Sequence, residues 1–336
     1  MPIHAITRTR TRVAGALAAC ALAAAPAGAQ RTFTSLTMFG DSFSDVGNAR
    51  ALVGPTIPPR FSNGPVWSDS LAIRLGRAGD ATPSFVPQSA TGVYAVGGAV
   101  AVGSGASALT STQAQIGRWC LSTTVVCNRT ADATGLYTLF VGGNDLRAIA
   151  GNGALTLAQQ QEAARDVART ITTQGQYLVT AGGVRNLLFA TLPDLGRTPD
   201  RIGTPQSAIL STITTAFNQE LLLGIGGLRA LNPTARLFDF RLDNLFFNVL
   251  TQPAAFGFTN TTGNCIAAGA APACDGYVFW DGLHPSAKAH GFVASAAYDL
   301  VAFDRNVAAV PEPATILLTG GGLAVLGLVA RRRRAA

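Results

Sequence analysis

Phe39-Gly40-Asp41-Ser42-Phe43-Ser44-Asp45-Val46-Gly47-Asn48 is the stretch whose reading decides the fold. It follows an apolar run, 33–39, of strand character and then breaks into small and polar residues. A strand end fixes the backbone, glycine admits a close substrate, and a serine at the turn is placed as a nucleophile. An isolated Gly-Asp-Ser is equally a strand-to-helix turn in which Asp41 or Ser42 caps a helix, so the rest of the chain has to choose. Outward from this turn the sequence alternates. Strands are expected at 93–96, at 136–141 (continuously apolar, as a strand covered on both faces should be), at 184–190 and at 235–240. Helices are expected at 65–75 and at 157–181, the latter stopped by Gly182-Gly183. Two more are expected at 205–231, with a break at 224–227, and at 286–303. This order predicts a three-layer α/β/α sandwich around a mainly parallel, five-stranded sheet. Such sheets bind ligands beyond the carboxyl ends of their strands, so 40–48, 97–105 and 142–145 should converge on one edge.

A serine needs a base. Outside the first 29 residues the chain has two histidines, His284 and His290. His284 stands in Phe279-Trp280-Asp281-Gly282-Leu283-His284-Pro285-Ser286, where Asp281, three residues earlier, can take the Nδ1 proton and fix the tautomer. His290 falls within the closing helix with no acid placed to orient it and reads as a surface or capping residue. Oxyanion donors are available in the Ser42 N–H, in the backbone of Gly97-Gly98 and in the Asn144 amide of Gly142-Gly143-Asn144-Asp145. Gly-Asn runs also favour plain turns. Phe246, Phe247, Phe256 and Phe258 either wall an acyl pocket or pack the last long segment onto the core.

Several chemistries are disfavoured. The glycine run 103–108 fits a loose dinucleotide fingerprint but lacks the acidic residue about 20 positions on, and reads as a flexible loop. No Gly-x-Ser-x-Gly elbow and no His-Glu-x-x-His occurs. The net charge of +7 comes from the ends: Arg8, Arg10 and Arg12, and Arg331 to Arg334. Without those seven the basic and acidic residues balance, so no basic patch argues for a nucleic-acid partner. No cofactor and no metal is called for.

Residues 1–29 read as a signal peptide: three arginines, an apolar stretch 13–25, and Ala27-Gly28-Ala29 as the cleavage site. Leu17-Ala18-Ala19-Cys20 is an alternative lipoprotein box. Cys120, Cys127, Cys265 and Cys274 form an even set in an exported chain. Of three possible pairings the local one, Cys120–Cys127 with Cys265–Cys274, is favoured because each pair brackets a short loop. At the other end Val310-Pro311-Glu312-Pro313 precedes an uncharged stretch, 314–330, and four arginines. That is barely long enough to span a bilayer, with the arginines held in the cytoplasm.

Taken together, these residues resemble the GDSL, or SGNH, family of serine esterases and lipases. The likeness rests on 39–48, Arg60-Phe61-Ser62-Asn63-Gly64-Pro65-Val66-Trp67, Tyr94-Ala95-Val96-Gly97-Gly98-Ala99, Val141-Gly142-Gly143-Asn144-Asp145 and 278–286, and covers about 36–302. The resemblance implies a flavodoxin-like fold and a cofactor-free hydrolase of carboxylic esters. It assigns Ser42 as nucleophile, Asp281 and His284 as the rest of a triad, and Ser42, Gly98 and Asn144 as oxyanion donors. One departure stands out: Val93 occupies a position where the family usually has Asn, so the hydrogen bonds that residue makes are absent. The tail resembles a PEP-CTERM sorting signal, which implies an exosortase-type processing partner and export in a Gram-negative bacterium. The destination is the periplasm, the outer surface or the medium, with transient anchoring in the inner membrane through the uncleaved tail. The expected organisation is signal peptide 1–29, hydrolase domain 30–308 and sorting segment 309–336. The competing function class is a non-catalytic surface or matrix protein that uses the same fold to bind carbohydrate.

Overall fold

The computed structural model describes residues 30–122 and 126–305. The expected signal peptide and sorting segment lie outside these residues, as does the uncharged stretch 314–330. Among the described residues no helix is long and apolar enough to cross a membrane.

Five strands form one parallel sheet: β1 (Leu36–Gly40), β2 (Gly92–Val93), β3 (Leu136–Phe140), β4 (Asn186–Ala190) and β5 (Arg236–Phe240), in the order β2-β1-β3-β4-β5. Every residue of β1 and β3 is buried, as strands covered on both faces require. Strand residues alternate between faces. Phe39, Tyr137 and Phe189 therefore point one way. Phe39 and Tyr137 meet Trp119 of α3 (Thr112–Trp119), and Phe189 meets Gly175 of α5 (Leu157–Thr180). Phe140 and Phe240 point the other way, onto Trp67 of α2 (Trp67–Arg74), which packs with α8 (Ala287–Phe303). The expected α/β/α sandwich is thus present. The strand order reverses between β1 and β3, and that is where the Ser42 and Asn144 turns leave the sheet.

The remaining elements are α1 (Asn48–Val53), α4 (Gly143–Gly151), α6 (Pro205–Leu231), α7 (Leu242–Thr251) and a small parallel pair, β6 (Asn260–Asn264) with β7 (Tyr277–Phe279). Both local disulfides form, Cys120–Cys127 and Cys265–Cys274. The second closes the loop between β6 and β7, which delivers the chain to Asp281.

Three expectations need correction. The break at 224–227 does not occur: α6 runs unbroken, and its glycines let it lie close to α5, since a Cβ on Gly224 would sit 2.5 Å from Thr172. The second strand ends at Val93, although Tyr94 and Val96 still donate to Met38 and Gly40 of β1 at 2.7 and 3.1 Å. The run 103–108 is not wholly loop: a 3₁₀ helix spans Gly105–Leu109, and Ser104 N–H donates to the Ser107 hydroxyl.

Candidate active site

The turn after β1 is held before any chemistry is considered. Gln115 of α3 accepts from Gly40 N–H and donates to Gly40 O, both at 2.8 Å, which fixes the strand end. Asp41 then accepts from Phe43 N–H at 3.0 Å, curling the chain so that Ser42 stands at the crest. From the far end of the sequence, β7 runs into a second turn. Asp281 Oδ1 accepts from the N–H groups of Leu283 (2.8 Å) and His284 (2.6 Å). Its Oδ2 lies 2.8 Å from His284 Nδ1, and His284 Nε2 lies 2.8 Å from Ser42 Oγ. The three predicted residues form one continuous hydrogen-bonded line. Burial pushes the Asp281 carboxyl up, but its bonds to His284 outweigh this and hold it below the ordinary range. It therefore remains an acceptor that keeps a proton on Nδ1 and leaves Nε2 facing the hydroxyl.

The stretch from Arg60 to Trp67 supports this base-bearing turn. The Phe61 ring lies 5.1 Å from the His284 ring, Ser62 Oγ donates to Pro285 O, and Asn63 Oδ1 accepts from Ala287 N–H.

The predicted oxyanion donors are distributed as follows. Ser42 and Asn144 line the same cleft as His284. One Asn144 amide hydrogen goes to Ala99 O at 2.8 Å, leaving the other for a ligand. Gly97 N–H donates to Asp45 Oδ2 at 2.8 Å, whereas among the described residues the N–H groups of Ser42 and Gly98 meet no protein acceptor. Gly98 has φ +82°, which favours glycine, and is exposed at its turn.

The Gly98 turn is held without a polar side chain at Val93. Asn48 Nδ2 donates to Val93 O and Ala95 O at 2.7 and 2.9 Å. Asp45 gathers Gly47, Asn48, Ala49 and Gly97 N–H, and Asp145 accepts from Ala101 N–H. These bonds come from residues of the first turn and of α4. Sequence reasoning missed Asp45, Asn48 and Asp145 as supports. Asp45, just before α1, is a residue type that often accepts from the first N–H groups of a helix, but nothing in it points to Gly97. Burial pushes Asp41 up to about 7 and Asp145 up to about 6.

His290 is neither a surface nor a capping residue. It is 0% exposed, its Nδ1 accepts from Trp67 N–H at 3.2 Å, and its ring lies 4.7 Å from Phe43. Burial pushes it down to about 3, so it stays neutral and packs the core beneath the nucleophile turn.

The cleft is apolar. Phe43, Leu192, Leu195, Phe246, Leu250 and Leu283 line it beside Ser42, around a cavity of about 60 Å³. The predicted aromatic wall divides: Phe246 faces the cleft, Phe247 is exposed, and Phe256 and Phe258 pack on Phe292 of α8.

Residues 36–297 match the family model for GDSL-like Lipase/Acylhydrolase, and 309–334 match the PEP-CTERM protein-sorting motif. Phosphatidylcholine-sterol acyltransferase of Aeromonas hydrophila is 28% identical over 73% of this chain and 69% of its own length. Esterase EstA of Pseudomonas aeruginosa is 26% identical over 89% of this chain, which spans about half (52%) of EstA. An uncharacterised Pseudomonas putida protein is 30% identical over 55% of this chain, and only 31% of its length is covered. Among solved structures, Est24, a carbohydrate acetylesterase from Sinorhizobium meliloti, overlays with a TM-score of 0.41 at 14% identity, covering 80% of this chain and 97% of its own. With the family match running from β1 to α8, the chain belongs to the GDSL-like lipase/acylhydrolase family and ends in a PEP-CTERM sorting motif.

Proposed function

We propose that this protein is an exported serine hydrolase that cleaves carboxylic esters of short acyl chains. The observation that carries the reading is the Asp281–His284–Ser42 line opening onto an apolar cleft. In this reading Ser42 Oγ attacks the ester carbonyl carbon while His284 Nε2 takes the hydroxyl proton. The carbonyl oxygen becomes an oxyanion that accepts from Ser42 N–H, Gly98 N–H and the free amide hydrogen of Asn144. The tetrahedral adduct collapses, His284 returns the proton to the leaving alkoxide, and the alcohol departs. Water, activated by the same imidazole, then releases the acid and restores Ser42. Asp281 holds the tautomer and stabilises the imidazolium.

Cavity size argues for short chains. The space of about 60 Å³ beside Ser42 suits a short acyl group. The PEP-CTERM motif supports export, with signal peptide 1–29 removed and the tail 309–336 retained at the inner membrane until an exosortase-type enzyme cuts it.

A fluorophosphonate probe should label the wild type at Ser42, and Ser42→Ala should lose labelling together with ~10³-fold or more of the hydrolysis rate. On p-nitrophenyl esters kcat/KM should be highest from acetyl to butyryl and fall by octanoyl. Near-wild-type turnover by Ser42→Ala would overturn the nucleophile, and unlabelled, inactive wild type would favour a carbohydrate-binding surface protein.

A further inference from the structure

The Asp281–His284 turn is gripped from outside by a segment that no motif marks. Asp200 N–H donates to Gly282 O at 3.0 Å. The Asp200 side chain fills the space that a Gly282 side chain would need: a Cβ there would lie 2.9 Å from Asp200 Cβ. The Asp200 carboxylate then reaches across to α4. Arg147 donates to both of its oxygens, Nη1 to Oδ1 at 3.3 Å and Nη2 to Oδ2 at 2.5 Å. Thr198, which lines the cleft, donates from its hydroxyl to Asp200 Oδ1 at 2.9 Å. Arg147 is one helical turn beyond Asn144. A single bridge therefore joins the helix that carries the amide donor to the turn that carries the base.

The pair is built to stay charged. Burial pushes the Asp200 carboxyl up, but Arg147, Thr198 and Arg201 outweigh it and hold it below the ordinary range. Its side chains are 19% and 32% exposed, so it is partly shielded from water. Other ion pairs, such as Arg169 with Glu162 and Glu220, tie helix surfaces together and touch no part of the cleft.

We propose that Arg147 and Asp200 are positioning residues that set the spacing between the Asn144 donor and the Asp281–His284 relay. The proposal rests on the serine-hydrolase reading. Both variants leave the Asp200 N–H bond to Gly282 O in place, whereas a small displacement of reacting groups costs rate steeply. The variants should therefore be folded and slow.

The test uses the full chain and p-nitrophenyl butyrate. Arg147→Ala and Asp200→Asn should each lower kcat ~10-fold, with KM and Tm close to wild type. The double variant should be no slower than the slower single one, since both act on the same bridge. Arg147→Lys, which keeps the charge but loses the two-pronged contact, should recover part of the rate. Arg169→Ala should behave as wild type. Wild-type kcat in Arg147→Ala and Asp200→Asn would overturn the proposal. So would a lowered Tm with unchanged kcat per fluorophosphonate-labelled site, which marks a structural role only. Additive losses in the double variant would also overturn it, by showing two separate effects. Turnover by Ser42→Ala in the same assay would sink the underlying reading instead, so the two failures are distinguishable.

Discussion

The two sides of this cleft use the same group, a carboxylate that gathers hydrogen bonds, under opposite electrostatics. On the nucleophile and oxyanion side stand Asp41, Asp45 and Asp145, whose hydrogen-bond partners are backbone N–H groups. Burial dominates there, and all three are pushed above the ordinary carboxylate range. On the base side stand Asp281 and Asp200. Burial pushes these up as well, but an imidazole and a guanidinium outweigh it and both end below that range. At these three sites the backbone donors place the loop without offsetting the burial. A cationic partner, or one that becomes cationic during turnover, keeps it charged and lets it stabilise a proton transfer.

This contrast can be broken most sharply at Asp281. In Asp281→Asn the oxygen can still accept from Leu283 and His284 N–H, so the turn survives. The new NH₂ faces Nδ1 and forces the ring proton onto Nε2, where it blocks the base. We expect kcat to fall ~10⁴-fold with Tm nearly unchanged, while His290→Asn, which alters only core packing, lowers Tm and leaves kcat within a few fold. Full activity in Asp281→Asn would remove the distinction between the two sides.

Asp45→Asn should show the reverse pattern. Each Asp45 oxygen accepts from two N–H groups, Gly47 and Asn48 on one, Ala49 and Gly97 on the other. An NH₂ in place of either oxygen faces two donors in a buried site. The expected loss is ~3 kcal/mol or more, a drop in Tm of roughly 10 °C. Thermal melts of the purified variant measure it, and a Tm within 2 °C of wild type would refute the role assigned to Asp45.

The smallest effect is a slope. A carboxyl whose folded value is raised contributes stability that is present below its ordinary 3.8 and lost as pH rises through the folded value, about 7 for Asp41. Depressed groups act oppositely: the Asp281 and Asp200 contributions are present above 3.8 and lost as pH falls through their folded values. Between about pH 4 and pH 7 the wild-type Tm should therefore carry a downward component from Asp41. Asp41→Asn should remove it, flattening the profile by a few degrees. An identical slope in wild type and variant would show that Asp41 does not titrate in this window.

The features legible in the sequence are those whose partners lie close in the chain. The order of the five sheet strands and of α2, α5, α6 and α8 followed from apolar runs and glycine stops, and Asp281 and His284 share one turn. Each disulfide closes a loop of seven or nine positions. Local geometry restricts such pairs so strongly that residue type and spacing name them. Ser42 stood out as a residue type, but its 2.8 Å approach to His284 spans 242 positions and belongs to the sheet topology. The same is true of Asp45 with Gly97 and of Asp200 with Gly282. His290 shows the limit most plainly, because its place inside α8 was expected and its complete burial was not. The physical reason is that these supports end on backbone N–H and C=O groups or on packed space. Nearly every residue carries those groups, so no side-chain pattern marks which one will be used. Sequence alone determined the order of the five sheet strands and the four helices α2, α5, α6 and α8, and the kinds of residue that can do the chemistry; only the folded chain added the shorter elements, among them α3, α4 and α7, and decided which backbone groups hold the site in place.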